Sequence, residues 1–456
     1  MRELPGMEGK EAEVLGWVDV RRDHGKLIFI DLRDRTGTTQ VVFMPKDAEL
    51  HALAEKLRPE WVVKITGQVN KRPAGMENEK VPGGSHEILA MKLEVLAEAK
   101  TPPFDVRSDG REIGEDIRMQ YRYLDLRRPR LQKNLRNRAK LVKFIRDFLT
   151  EKDFTEIETP VLGRSTPEGA RDYLVPARLY PGKFYALPQA PQQYKQLFMV
   201  AGLERYFQIA RCYRDEDTRG DRQPEFTQLD LEMSFVERED VMKLNEELLI
   251  NIVKTLYPEK KIQEIPFPRI SYKEAMEKYG TDRPDMRKDK DDPNLLAFCW
   301  VIDFPFFEKT DDGSWTFTHN PFSAPKPEFM KDLLEKKNIP DILTTQYDVA
   351  LNGWEIGGGS IRNHRPEALE AVLRIIGYED PKKDFGHMLE AFEYGAPPHG
   401  GIAWGLDRFV MILEGEPNIR EVIALPKTGD GRDLMTGAPA EVSPKQLKEL
   451  HIKTDK

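Results

Sequence analysis

The sequence predicts an α+β protein in two parts, a small N-terminal β-barrel and a larger domain whose mainly antiparallel sheet is flanked by helices. Three observations carry this. Residues 11–98 hold five short runs of alternating apolar and polar residues. A Pro-rich polar stretch, TPPFDV, breaks the pattern at 101. Beyond it strands and helices mix irregularly, without the strict strand–helix alternation of a doubly wound parallel sheet.

The five runs are EVLGWVDV, KLIFIDLRD, TTQVVFM, WVVKITGQV and EILAMKLEVLAEA, with a turn at Thr36-Gly37 and a helical stretch near 47–58. Five strands and one helix are the count of an OB-fold, and equally fit other small β-domains. A first domain is expected over 1–104, a linker over 105–132 ending in the basic run RYLDLRRPRLQ, and a second domain over 133–456. Leu135, Leu141, Phe144, Ile145 and Phe148 give residues 133–152 a helical period. Strands are expected near 183–187, 205–213, 226–236, 298–307, 345–351 and 354–361. Helices are expected over 190–201, 237–256, 366–377, 384–394 and 405–414.

Composition narrows the function classes. The 456 residues are 39% hydrophobic and 32% charged, with no apolar run of membrane-spanning length. The acidic start, MRELPGMEGKEAEV, has no apolar core of the kind a secretion signal needs. The two cysteines, Cys212 and Cys299, stand far apart, which excludes a disulfide framework and suits a reducing cytoplasm. With 70 basic and 78 acidic residues the net charge is −8, which speaks against indiscriminate nucleic-acid binding and leaves room for one RNA met by a local basic surface.

Three segments carry chemistry. In YDVALNGWEIGGGSIR (347–362), Asn352-Gly353 between apolar runs signals a type I′ hairpin. That register sets Ala350 opposite Glu355 and projects Asp348 and Glu355 from one face, where two carboxylates suit a hard cation bridging phosphates. A solvated acidic face is the plain alternative. Arg362 has the wrong parity for that face unless a bulge at Gly357–Gly359 corrects it. In FQIARCYRDEDTRGDRQPEFTQLDLEMSF (207–235), two strands flank a loop rich in Arg214, Glu216, Arg219, Arg222 and Gln223, and Phe226, Gln228 and Asp230 share a strand face. An arginine there suits a phosphate and an aromatic suits a base, although a charged solvated hairpin reads the same way. In GGIAWGLDRFVM (400–411), a glycine-flanked turn enters a helix with Arg408 in its first turn, a place that favours anions. Gln192 and Lys195, three apart on an expected helix, reach one cleft. His319 and His399 read more readily as structural than as catalytic.

Together these segments resemble, in order, the three motifs of the class II aminoacyl-tRNA synthetases. FTEIETPVL with Pro160 resembles the first, the dimer-interface strand; the Arg214 loop resembles the second; GLDR at 405–408 resembles the third. TPEGARDYLVP, PQQYKQL, LNGWEIGGGSIR and YGAPPHGGIAWGLDR bring nearly the whole chain close to the bacterial aspartyl enzymes. The resemblance implies an aspartate–tRNA ligase using ATP and Mg2+, with an OB-fold anticodon-binding domain, tRNA-Asp as partner and a homodimer built around Pro160. Arg214, Asp215, Glu216, Gln223, Phe226, Glu355 and Gly405, Leu406, Asp407 and Arg408 would serve ATP, with Arg214, Arg408 and Glu355 catalytic. Asp348 and Glu355 would hold the metal. Glu168, Gln192, Lys195, Arg214, Asp230, His319 and Arg362 would form the aspartate pocket, with Lys195 and Arg362 on the side-chain carboxylate. In the barrel, Arg22, Phe29, Gln40 and Glu87 would meet the anticodon.

The sequence departs from the family at three places. The large insertion usual in bacterial relatives is reduced to a short charged loop at 285–295. The family's paired histidines read His319-Asn320. The barrel loop reads RRDHGK, and a histidine at His24's position often accompanies charging of tRNA-Asn as well as tRNA-Asp; an incidental loop histidine is equally consistent.

Overall fold

The computed structural model describes residues 1–78, 84–165 and 169–454. They form two compact units, Met1–Gly110 and Arg111–Lys456. The first is a closed five-stranded barrel of Glu11–His24, Leu27–Asp34, Gly37–Phe43, Val62–Lys71 and His86–Ala97, with one helix, Ala48–Ala54. Alternation along each strand buries Val18, Ile28, Ile30, Leu32, Val41, Val63, Ile65 and Ile88 in a single core. Asp47 caps the helix by accepting a hydrogen bond from the Leu50 N–H. The barrel closes where Gly37–Phe43 runs parallel to His86–Ala97, and this closure sets Gln40 beside Glu87.

The second unit is built on an eight-stranded sheet. Its order is Arg269–Ser271, Phe298–Ile302, Tyr347–Leu351, Trp354–Ile361, His399–Gly405, Glu225–Ser234, Arg205–Tyr213, Thr155–Glu156. Only the two edge pairings are parallel; the five pairings between them are antiparallel. One face is covered by the helices Pro129–Glu151, Arg238–Leu256 and Leu406–Glu414, whose apolar stripes (Leu141, Ile145, Leu149; Leu248, Leu249, Ile252; Phe409, Val410) meet Leu229, Leu231, Ile402 and Trp404. The expected strand over 298–307 is two pieces, Phe298–Ile302 and Phe307–Lys309, because the chain turns away at Asp303, where φ is +60°.

Residues 111–132, expected as part of a linker, carry the helices Glu115–Gln120 and Arg122–Asp125 and the start of Pro129–Glu151 within the second unit. Three of their arginines, Arg118, Arg122 and Arg128, are buried. Arg122 and Arg128 are buried around Asp125, at 2.6 and 2.7 Å, and Arg118 bridges Asp125 and Glu421. Burial alone would push the Glu421 carboxyl up, but Arg118 and Arg130 outweigh it and hold it at about 2, against 4.5 for an ordinary glutamate. A folded pKa below the unfolded one stabilises fully above about pH 4.5, and the stabilisation disappears as pH falls toward 2. The amount is at most about 3 kcal/mol. Glu421→Gln should therefore lower the urea midpoint at neutral pH and flatten its fall through that acid window. Parallel midpoint curves for the variant and parent would contradict this.

The loop standing where the sequence expects a lost insertion is compact. Arg287 grips Asp285 through two bonds of 3.0 and 2.8 Å, and Gln263 holds Met286 O and the Lys288 N–H. Leu295–Leu296 then pairs with Lys261–Ile262, closing the excursion.

Candidate active site

The face of the sheet away from the core helices is unusually polar, and the strand register explains how. Along Glu225–Ser234, Leu229, Leu231 and Met233 enter the core, so Phe226, Gln228, Asp230 and Glu232 line the opposite face. Asp230, Ala403, Gly358 and Asp348 then fall in one row across four strands. Two acids stand at the ends of that row and two small residues form its floor. Glu232, Gly401 and Ser360 form the neighbouring row. Gly401 is needed there, because a Cβ would lie 2.2 Å from the Glu232 carboxylate. Above this floor lies a cavity of about 340 Å3, within the usual range for small-molecule sites.

The Asn352-Gly353 hairpin forms as expected, with both residues at positive φ and Ala350 opposite Glu355. A bulge is present, but it falls at Ile356, between Glu355 and Gly357, and not at Gly357–Gly359 where the sequence places it. That extra residue puts Gly358, Ser360 and Arg362 on the face of Asp348. A Cβ on Gly358 would sit 2.7 Å from Asp348 Oδ1 and 3.5 Å from Glu355 Oε1, so both acids border the same gap. Burial and then the neighbouring Glu355 push the Asp348 carboxyl well up, although Gln346 donates to it at 3.1 Å. His319 Nε2 is 3.9 Å from Asp348, and burial pushes the imidazole's pKa down. Among the described residues no group of three or more such ligands exists. Two crowded carboxylates facing an open cavity suit a cation that takes its other ligands from a substrate. Gly358→Ala should thus cost at least about tenfold in any activity of this site while leaving the fold intact, because its methyl would fill the gap between the acids. The check is the catalytic rate together with the thermal unfolding midpoint. An unchanged rate would remove the acids from the site.

A second cluster is internally balanced. Lys195, on the helix Gln192–Val200, donates to Asp230 at 2.6 Å and lies 3.4 Å from Glu232. Arg362 grips Glu232 through Nε (2.8 Å) and Nη2 (3.1 Å), and Nη1 donates to Ser360 at 2.8 Å. All four charged groups are almost completely buried. Burial raises the Asp230 pKa despite Lys195, whereas at Glu232 the two cations outweigh burial and lower it. Asp230 Oδ2 meets no donor at hydrogen-bond geometry, although the Tyr206 hydroxyl lies close to this carboxylate. The cluster therefore presents spare donors on Lys195 and Arg362 and one spare acceptor on Asp230. Gln192 joins the same wall.

At the other end of the cavity, the Arg214 guanidinium lies 5.1 Å from the Phe226 ring centroid, and Glu216 pairs with Arg222 at 3.1 Å. Gln223 bonds the Lys427 N–H and keeps its Nε2 unpartnered. Arg408 is braced by Glu355 O and by Asp221 at 2.9 Å. Gly405 contributes backbone to the wall.

Several expected residues do other work. Asp407 touches the cavity, but its carboxylate is taken by the Thr227 N–H (2.8 Å) and Arg138, so it braces the helix start against the sheet. Leu406 is fully buried in the core. Asp215 lies outside the cavity lining beside Arg171, at 3.6 Å, and its N–H donates to Arg171 O. Glu168 lies outside the described residues. His399 is structural: it is buried, its pKa is pushed down to about 4, and it is held between Pro397 O and Gln196. Nothing local in the sequence marks Asp221, Gln346 or Ser360 as part of this site, whereas Glu232 follows Asp230 at the same two-residue period.

In the barrel unit, Arg22 pairs with Asp31 at 2.5 and 2.7 Å, and Gln40 donates to Glu87 at 2.8 Å and accepts from Arg72 at 3.1 Å. Phe29 lies on this outward face, edge-on to the exposed His24 with centroids 6.0 Å apart. The four expected contacts thus share one surface.

Comparison with known proteins supplies the name for this arrangement. Residues 114–429 match the family of class II tRNA synthetases (D, K and N), and residues 12–96 match the OB-fold nucleic acid binding domain. The chain belongs to the class II aminoacyl-tRNA synthetases. Among relatives of this synthetase is the aspartate–tRNA(Asp/Asn) ligase of Rubrobacter xylanophilus, 43% identical over 571 aligned positions, covering 97% of this chain and 94% of the relative. The ligase of that name from Caldanaerobacter subterraneus is 42% identical over 98% and 96%. Those alignments exceed the 456 residues available here, so the relatives carry sequence absent from this synthetase. Among solved structures, an aspartyl-tRNA synthetase from Entamoeba histolytica matches with TM-score 0.72 and 25% identity, covering 93% of this chain and 90% of that one. An asparaginyl-tRNA synthetase from Pyrococcus horikoshii, complexed with asparaginyl-adenylate, shares the fold with TM-score 0.75 at 24% identity, covering 96% and 98%. An OB-fold followed by a class II catalytic domain is the architecture expected from the sequence.

Proposed function

We propose that this synthetase is an aspartate–tRNA ligase that also accepts tRNA-Asn. One observation carries the amino-acid assignment: Lys195 and Arg362 offer only donors to the cavity, beside a spare acceptor on Asp230. Aspartate's side-chain carboxylate is acceptor-only and matches the first; its ammonium matches the second. Asparagine would turn an amide NH2 toward two cations and leave one unpaired.

The reaction runs in two steps. An oxygen of the aspartate α-carboxylate attacks the ATP α-phosphorus, and the bond to pyrophosphate breaks. The terminal ribose hydroxyl of the tRNA then attacks the carbonyl carbon of aspartyl-adenylate, and AMP leaves. Positioning and charge stabilisation by Arg214 and Arg408 carry the rate, with no covalent enzyme intermediate. Phe226 offers a face for the adenine, and Glu216, Gln223 and Gly405 border it. Asp348 and Glu355 would hold Mg2+, which draws charge from the phosphates when bound. Arg22, Phe29, Gln40 and Glu87 meet the anticodon, Phe29 by stacking, and His24 relaxes the choice of tRNA.

A homodimer through the region of Pro160 is supported by the exposed apolar side chains Val161, Leu162, Leu174, Leu179, Tyr180 and Phe184. A cytoplasmic setting fits two free buried cysteines; no helix of the described residues is long and apolar enough to cross a membrane.

The test is charging of purified tRNA-Asp and tRNA-Asn side by side, preceded by aspartate-dependent pyrophosphate exchange. Exchange with asparagine rather than aspartate would overturn the substrate. Charging of tRNA-Asp alone would overturn the role of His24.

A further inference from the structure

The loop that follows His319 runs beside the end of Trp354–Ile361. Ala324 N donates to Ile361 O and Asn363 N to Phe322 O, both at 2.8 Å, and Ser323 bridges Arg362 in antiparallel register. The Thr345 hydroxyl, 3.0 Å from both Ala324 O and Ile361 O, pins the two segments together. This pairing brings two buried hydroxyls into contact: Ser323 Oγ is 2.9 Å from Ser360 Oγ, with the residues 1% and 0% exposed. Ser360 accepts from Arg362 Nη1, and Ser323 Oγ lies 3.5 Å from Asn320 Oδ1.

Arg362 only donates, and the Asn320 amide oxygen only accepts. The Ser323 hydroxyl donates to Ser360 Oγ at 2.9 Å, so Ser360 accepts from both Ser323 and Arg362, and loop and guanidinium meet on one oxygen. Arg362 has five N–H groups. Glu232 takes two along one edge and Ser360 takes a third, which leaves two uncommitted on a side chain that lines the cavity. Glu232 alone would fix one edge of the plane. The third bond stops the fork from rocking about that edge, and its far end is anchored in the loop carrying His319 and Asn320, which both line the cavity.

We infer that the Ser323–Ser360 hydroxyl pair is a positioning relay that aims the Arg362 fork at the substrate's side-chain carboxylate and ties that aim to the 319–323 loop. The inference rests on the reading of Arg362 as the contact to that carboxylate. Neither serine touches the reacting atoms, so their signature is a change in aspartate KM rather than in ATP KM.

The experiment measures aspartate-dependent pyrophosphate exchange in the full chain, with aspartate and ATP varied separately. Ser360→Ala is expected to raise the aspartate KM by about 10- to 100-fold, the scale for a buried hydrogen bond to a charged group, and to leave the ATP KM within about twofold. Ser323→Ala, one bond further out, should raise the aspartate KM about threefold, and Ser323→Thr, which keeps the hydroxyl, should stay near the parent. Thermal unfolding confirms that each variant is folded. An unchanged aspartate KM in Ser360→Ala, or equal shifts in both substrates, overturns the relay. Equal losses in the Ala and Thr variants of Ser323 assign its effect to packing and overturn the second link. Arg362→Gln separates the two levels: if it leaves the aspartate KM unchanged, the reading of Arg362 falls. If it raises the KM while Ser360→Ala does not, only the relay falls.

Discussion

Arg214→Ala is expected to slow adenylate formation by about 10²–10³-fold, the scale for removing one preorganised transition-state donor. The side chain leaves the sheet immediately after Arg205–Tyr213, where Arg214 N donates to Pro224 O at 2.9 Å and so fixes the base of the loop. The guanidinium is otherwise lightly held: Nε lies 3.4 Å from Gln189 O, and one face is turned to Phe226. It keeps most of its donors for a ligand, unlike Arg362, which is anchored by Glu232 and Ser360. Charge developing on the α-phosphoryl oxygens would thus meet a cation that needs no partner broken first. The measurement is aspartate-dependent pyrophosphate exchange at saturating ATP, with stability followed in parallel. A rate within threefold of the parent would remove Arg214 from the chemistry. Arg214→Lys should recover only part of the loss, because an ammonium cannot grip a phosphate bidentately.

The contrast between these arginines marks what was legible in the sequence. Asn352-Gly353 fixes its hairpin locally, so the register from Ala350 to Glu355 could be read from two residues. The need for a bulge was equally legible, since Arg362 has the wrong parity without one. Its place at Ile356 was not, because it depends on how Gly357, Gly358 and Gly359 lie against Trp404, Ala403 and Ile402 of the next strand. The inward arginines of 118–130 resemble a linker in sequence for a related reason. Composition marks them as solvated, and their partners Glu416 and Glu421 lie about 290–300 residues away. Nothing local announces such a pairing. Asp407 shows the same limit at the site itself. Its position in GLDR is visible in sequence, but its use by Arg138 and the Thr227 N–H is a tertiary fact. Arg408, by contrast, stands in the first turn of Leu406–Glu414 as its motif predicts, and it lines the cavity.

Lys195→Leu is expected to reduce the use of aspartate by at least about 10²-fold in kcat/KM while changing the ATP KM by less than about threefold. Leucine is of similar bulk, so the cost is electrostatic. Asp230 and Glu232 are completely buried, and Lys195 sits 2.6 Å from one and 3.4 Å from the other. Removing the ammonium leaves two acids sharing Arg362 alone, and breaking a buried pair in this way costs about 3–5 kcal/mol. The variant should therefore also unfold earlier, and lost activity by itself would not distinguish a specificity defect from a damaged fold. The double variant Lys195→Leu with Asp230→Asn resolves this. Asparagine removes the stranded charge, so the unfolding midpoint should return most of the way to the parent. The aspartate defect should remain, because the donor facing the substrate's carboxylate is still missing and the acceptor for its ammonium has been weakened. Recovery of stability together with aspartate use would reduce Lys195 to a structural counter-ion. Equal losses toward aspartate and ATP in the single variant would remove it from the amino-acid pocket. The physical distinction is between a cation that holds two acids in place and one that does so while keeping an N–H free for a third, and only the second makes the pocket selective for a carboxylate.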